Sequence, residues 1–250
     1  MSWDRDLGDE PAPAWRDHAP DVLAPIDQEA PVSGHRPPPE GSASLAEAPE
    51  HDWQAASRIL APLLRPVGSS GMRLADLDPV QLASEGLKSH ATPLVDEGPS
   101  GLVIGYVLRE AAFDVLVNAD HLLAWSVSPD AVRTASTANL AQWSASAPWT
   151  DETSGQRRLV SSATGEGNDA SRILLPEARA YLARELGSGA RVLVGIPERD
   201  LLVAGALYDG DEEFAALFAE FVRDHSDGAD HPLDRRVHEI VAGELRIFGA

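Results

Sequence analysis

The chain has 250 residues, a formal net charge of −20 from 40 acidic and 20 basic residues, and no cysteine. Without cysteine there are no disulfides, no thiolate catalysis and no sulfur-ligated zinc, which fits a reducing cytoplasm. So negative a field repels phosphate backbones and anionic lipid, which disfavours nucleic acid as a partner, and neither a signal-peptide pattern nor an apolar run of about 18 residues argues for export or a membrane span.

Residues 1–50 hold nine prolines and carry a charge of −8 from 11 acids and 3 arginines. Lacking an apolar period, they read as a disordered tail, with His35–Pro39 a polyproline spacer and Trp3 and Trp15 either incidental or docking points for a partner. Residues 51–250 read as one domain. From Asp52 to Leu64 the residues Trp53, Ala56, Ile59, Leu60 and Leu63 recur at helical spacing, and Pro66 ends the run. Residues 67–91 are mostly loop, with a short helix expected over Asp76–Glu85. Lys88, the only lysine, sits among Ser and His and not after a glycine loop, against Schiff-base and phosphate-loop chemistry.

Gly101–Arg109 and Phe113–Val117 are rich in β-branched and aromatic residues and predict an antiparallel pair. Asn118 or Asp120 caps a helix through Trp125, and Ser128-Pro129 starts another running to Trp143. On that second helix Asn139 falls at the edge of the buried face, as a structural amide or a ligand contact. Arg157–Ser162 predicts a strand leading into a glycine turn. A helix over Asp169–Leu175 restarts at Pro176 and continues as Glu177–Leu186, ending at Gly187. Arg191–Ile196 and Leu201–Leu207 predict a hairpin around Pro197–Asp200. Asp211–Arg223 carries Phe214, Leu217, Phe218, Phe221 and Val222 on one helical face. Val237–Phe248 fits two strands around Ala242-Gly243 or one helix.

The stretch Gly165–Pro176 is the densest in chemistry, because it places two glycines, Asp169, Ser171 and Arg172 at a helix start. One reading is a backbone cradle for an anion. The other makes Asp169 the helix N-cap, lets Ser171 bond locally and pairs Arg172 with a nearby carboxylate. His225–His231 mixes imidazoles and carboxylates but lacks a rigid metal-binding spacing, so a solvated loop after a helix is expected.

Four segments, Thr137–Leu140, Asp169–Leu174, Ile196–Val203 and Pro232-Leu233, resemble in order and spacing an uncharacterised bacterial family typified by the YtpQ protein, over about residues 55 to 248. The resemblance implies a hairpin at the C-terminus and marks Asn139, Asp169, Ser171, Arg172, Arg199 and Asp200 as the positions to examine; it implies no activity. The expected fold is α+β, a mostly antiparallel central sheet with helices packed mainly on one face and a disordered N-terminal tail. The expected function is that of a cytoplasmic, non-catalytic binding or adaptor protein with a protein partner or a small anionic ligand, without cofactor or metal. The alternative is a hydrolase-like or nucleotide- and anion-handling enzyme centred on Asp169, Ser171, Arg172, Arg199 and Asp200, which requires Arg172 and Arg199 to meet in one pocket. Ligand, partner and oligomeric state stay open.

Overall fold

The computed structural model describes residues 48–78, 80, 84, 91–110 and 114–249, all within the compact unit Ala43–Ala250. The expectations for the acidic tail before residue 48, for Lys88 and for Phe113 lie outside these residues, as does part of the helix expected over Asp76–Glu85.

The fold is α+β, with its strands divided between two mostly antiparallel sheets. In the first sheet, α1 (Trp53–Ile59) is capped by Asp52, whose carboxylate accepts from the Gln54 and Ala55 amides. The chain then enters β1 (Leu60–Arg65) directly, whereas the periodicity had extended the helix to Leu64. Pro62 is the reason: inside a helix it lacks an amide hydrogen and clashes with the carbonyl four residues back, but it is tolerated in an edge strand. β1 pairs antiparallel with β4 (Val103–Arg109), whose other side takes β3 (Leu94–Glu97) and β5 (Asp114–Leu116). The two-residue β2 (Met72–Arg73) runs parallel to β3.

As predicted, Asn118 caps α2 (Ala119–Trp125), in a capping box with His121, and Ser128 caps α3 (Pro129–Ser146). All three helices gather in one core with the first sheet, where Ala56, Leu122, Trp125 and Val132 pack on Leu60, Tyr106 and Leu108.

The second sheet has six strands: β6 (Thr150–Ser154), β7 (Arg157–Ser162), β8 (Arg191–Glu198), β9 (Leu201–Leu207), β10 (Val237–Val241) and β11 (Glu244–Ile247). Their order is β11-β10-β8-β9-β7-β6. Alternation along β8 and β9 sends side chains to two cores. Leu193, Val203 and Leu207 meet Phe214, Phe218 and Val222 of α5 (Glu212–Gly228), while Val192, Val194 and Ala204 meet Leu182 and Leu186 of α4 (Pro176–Leu186). Leu64 of β1 and Leu102, the residue just before β4, join the second of these cores, so both sheets share it. α5 lies close because β8 and β9 offer glycines beneath it. A Cβ on Gly195 would come within 2.4 Å of Val222, and one on Gly205 within 2.7 Å of Phe214.

Two boundaries differ from expectation. α5 continues to Gly228 instead of Arg223, so His225 is helical and not in a loop; it lies against Phe221 one turn back, with ring centroids 3.9 Å apart. β8 includes Pro197 and Glu198, after an irregularity following Gly195, and leaves Arg199-Asp200 alone between the strands. The C-terminus forms the hairpin β10–β11.

Candidate functional site: a sealed motif loop and an open sheet edge

Asp169 is fully buried and does not cap a helix, contrary to the N-cap expectation. Its carboxylate turns back onto the preceding loop, accepting from the Ser162 hydroxyl at 2.5 Å, the Thr164 amide at 3.0 Å and the Thr164 hydroxyl at 2.9 Å. Residues 170–174 form a tight three-residue-per-turn helix, and three amides of the turn donate to groups of the protein. The Ala170 amide donates to the Arg199 carbonyl, the Arg172 amide to the Asn168 and Asp169 carbonyls, and the Glu166 amide to Thr164 Oγ1.

Arg172 is 1% exposed, and no carboxylate among the described residues forms the expected ion pair with it. The guanidinium instead donates to the Ser144, Ala147 and Pro148 carbonyls and to the Ser144 and Ser162 hydroxyls, at 2.8 to 3.2 Å. These carbonyls belong to the last turn of α3 and the residues just after it, where helix carbonyls lack partners and a cation is favoured. Trp149 stacks on the guanidinium, its ring centroid 3.7 Å away. Burial pulls the Arg172 pKa down to about 10, partly offset by the charge of Asp169, which reaches it through the shared Ser162 hydroxyl.

Ser171 does not bond locally. Its hydroxyl accepts from the Leu64 amide at 3.3 Å, across 107 residues of sequence. The Asn139 amide donates to the Ser57 and Leu60 carbonyls, both at 2.8 Å. Leu60, Pro62 and Leu64 alternate along β1, an edge of the first sheet. Asn139 satisfies Leu60, Ser171 satisfies Leu64, and Pro62 has no amide hydrogen to satisfy. Both residues therefore close a sheet edge.

Arg199 is on the other side of the glycine loop from Arg172, and the two do not meet in one pocket. Arg199 donates to the Gly167 carbonyl and pairs with Asp114. Arg109, which sequence reasoning missed, donates to the Gly167 carbonyl at 2.7 Å and to Asn168 Oδ1 at 2.8 Å. Gly167 has φ 76°, which strains any other residue, and a Cβ there would lie 2.5 Å from Arg199 and 2.6 Å from Arg109, so both guanidiniums would have to shift to admit it. Burial lowers the Arg109 pKa, against the attraction of Asp114 and Asp200. Asp200 Oδ1 is buried without a hydrogen-bond partner. Thus Asp169 and Arg172 converge through Ser162, Arg199 joins Arg109 and Asp114, and Asn139 and Ser171 serve β1.

The edges of the second sheet are treated unequally. At β11 the turn 99–101 lies alongside, with the Ser100 hydroxyl donating to the Leu245 carbonyl and Arg236 holding the Ser100 carbonyl at 3.1 Å. Arg236 also binds Asp234, which in turn faces the buried His238. Although burial of Asp234 works the other way, the bonds from His238 and Arg236 hold its carboxyl well below the usual range. At the opposite edge no strand among the described residues pairs with the outer side of β6, and all five of its residues are exposed.

Between β6, β7 and α5 runs an apolar groove of about 360 Å³, floored by Leu159, Val203 and Phe218 and rimmed by Glu152, Leu217 and Phe221. Leu217 and Phe221, expected as core, are 47% and 37% exposed. A more polar cleft of about 470 Å³ lies over Asp96, Tyr106, Arg133 and Thr137, but its groups satisfy one another. Asp96 accepts twice from Arg133, at 2.7 and 2.9 Å, and from the Tyr106 hydroxyl at 2.6 Å. Among the described residues no three His, Asp or Glu side chains are placed to hold a metal, and no helix is long and apolar enough to cross a membrane. The chain matches no family model, no curated protein and no solved structure.

Proposed function

We propose that this is a non-catalytic binding protein whose docking face is the groove between α5 and the β6 edge. The observation that carries the reading is the pair Leu217 and Phe221, two large apolar side chains held in the open beside an apolar floor. Concave, mostly apolar surfaces with a few polar groups at the rim are where proteins take ligands and partners. The hydrolase-like or anion-handling alternative lacks comparable support, because the Arg172, Arg109 and Arg199 guanidiniums around the motif loop are engaged with groups of the protein and Arg172 is buried. Kinship with the YtpQ-like family rests on the four sequence segments named above. In that light they are folding segments: Asn139, Ser171 and Arg172 close an edge and a helix end. A cytoplasmic address rests on the absence of cysteine.

Indole, a small apolar probe, tests the reading by NMR. It is expected to shift the amide resonances of residues 152–159 and 217–221, and Phe221→Glu to abolish those shifts. Shifts centred on Gly165–Arg172 or on Arg133 would overturn the proposal, as would an unchanged response in Phe221→Glu.

A further inference from the structure

We infer that β6 receives an extended segment of a partner protein as a seventh strand, basic where it faces Glu152 and apolar where it reaches over the groove. This rests on the groove being the docking face and adds the chemistry of the occupant. In an antiparallel ladder alternate residues direct their N–H and C=O groups away from the paired strand, so β6 offers a row of unmade backbone hydrogen bonds. Natural sheets blunt such edges with proline, charged side chains (lysine above all), a bulge or a cover; the charges of β6 are Asp151 and Glu152, which oppose an acidic strand and not a basic one. The other long edges here are blunted: β1 by Pro62, Asn139 and Ser171, and β11 by Ser100. Thr150–Ser154 has neither proline nor lysine, and its register with β7 is unbroken over five residues.

Charge selects the occupant. Glu152 pairs across from Leu159 and shares its α5 side, whereas Asp151 pairs across from Val160 and lies on the α4 side. Asp151 is already bonded to Arg158, which takes both its oxygens at 2.5 to 3.2 Å, so the carboxylate left for an added strand is Glu152. Arg157 of the groove wall is taken up by Asp211 and Glu213, and the chain as a whole carries −20. A second copy would bring the same acids to the same edge, and like charges directly opposite are destabilising. A partner strand with a lysine or arginine opposite Glu152 meets complementary charge, and apolar residues opposite Thr150 and Ser154 extend from the α5 side of the strand into the groove. Backbone bonds supply affinity and alternate side chains specificity, as in other strand-addition complexes.

The test uses the full chain and a labelled peptide with the core Leu-Thr-Lys-Thr-Leu, followed by fluorescence anisotropy. Two versions are N-methylated at alternate residues, one set in each phase. Binding is expected to fall about tenfold or more for one phase and to persist for the other, the equivalent of losing two backbone hydrogen bonds. A chain carrying Glu152→Lys is expected to prefer a Leu-Thr-Glu-Thr-Leu peptide. Equal affinity of both methylated phases overturns strand addition, and so does failure of the peptide to bind while indole still shifts Phe221; either result leaves the groove reading intact. Failure of both probes overturns both readings. A concentration-dependent dimer with β6 amides protected from exchange would replace the partner by a second copy and overturn the inference.

Discussion

β1 and β6 are both edge strands of five or six residues, one in each sheet, and they are handled in opposite ways. At β1 the outward backbone groups are spent: Leu60 on Asn139, Leu64 on Ser171, with a proline between them. At β6 no strand among the described residues takes them, and an apolar groove lies alongside. The same chain thus contains the means of closing an edge and leaves one without them. Residues that stand out in the sequence as chemistry accordingly act as closures, while the edge proposed for docking is made of Thr, Ser and acids that carry no motif.

The largest expected effect tests how much the closed side depends on Arg172. Arg172→Ala leaves three carbonyls and two hydroxyls without their donor, and should cost on the order of 3 to 5 kcal/mol, the range for breaking a buried charged network. Urea unfolding measures it. Arg172→Lys should recover little, since an ammonium cannot reproduce the fork that spans Ser144, Ala147 and Pro148. A loss within experimental error would mean that the turn holding Ser171 is not fixed by this side chain.

Asn139→Ala and Ser171→Ala reopen β1 directly. Each should cost about 1 to 3 kcal/mol, because the Leu60 carbonyl or the Leu64 amide is then left unpaired in the interior. Hydrogen exchange gives a sharper reading than global stability, with faster exchange expected at Leu64 in Ser171→Ala. Next in size is Gly167→Ala, expected to cost more than about 1 kcal/mol, as a side chain at positive φ is strained and this one also meets Arg109 and Arg199. Thermal unfolding of that variant checks whether the two arginines hold the loop as tightly as the geometry implies.

Local chemistry made much of this fold legible. The bounds of β7 and β9, the caps Asn118 and Ser128, and the buried residues Phe214, Phe218 and Val222 all follow from neighbours within a few residues. Pro62 was legible too, but the helical spacing around it outweighed it, and the helix was extended through a strand. The partners of the motif residues were not legible. Ser171 meets Leu64 across 107 residues and Arg172 meets carbonyls 24 to 28 residues away, contacts that only the stacking of two sheets brings about. Lacking those partners, an aspartate before a helix reads as a cap and an arginine beside it as half of an ion pair. The exposure of Leu217 and Phe221 was hidden for a related reason: a helical period fixes a face, but only the sheet beneath determines how wide a face is covered.

The smallest expected effect bears most directly on the open edge. Glu152→Ala should change stability by less than about 0.5 kcal/mol, as surface substitutions away from caps and networks do. That near-silence is the point of the prediction, since a residue maintaining the fold would not be silent. If Glu152 instead helps to keep β6 from pairing with another copy, its removal leaves stability unchanged but promotes self-association, read by sedimentation velocity at rising concentration. A stable monomer with weakened binding of the lysine peptide would assign Glu152 to partner recognition, whereas a marked loss of stability would show that β6 is held by contacts of its own, and the contrast with β1 would disappear.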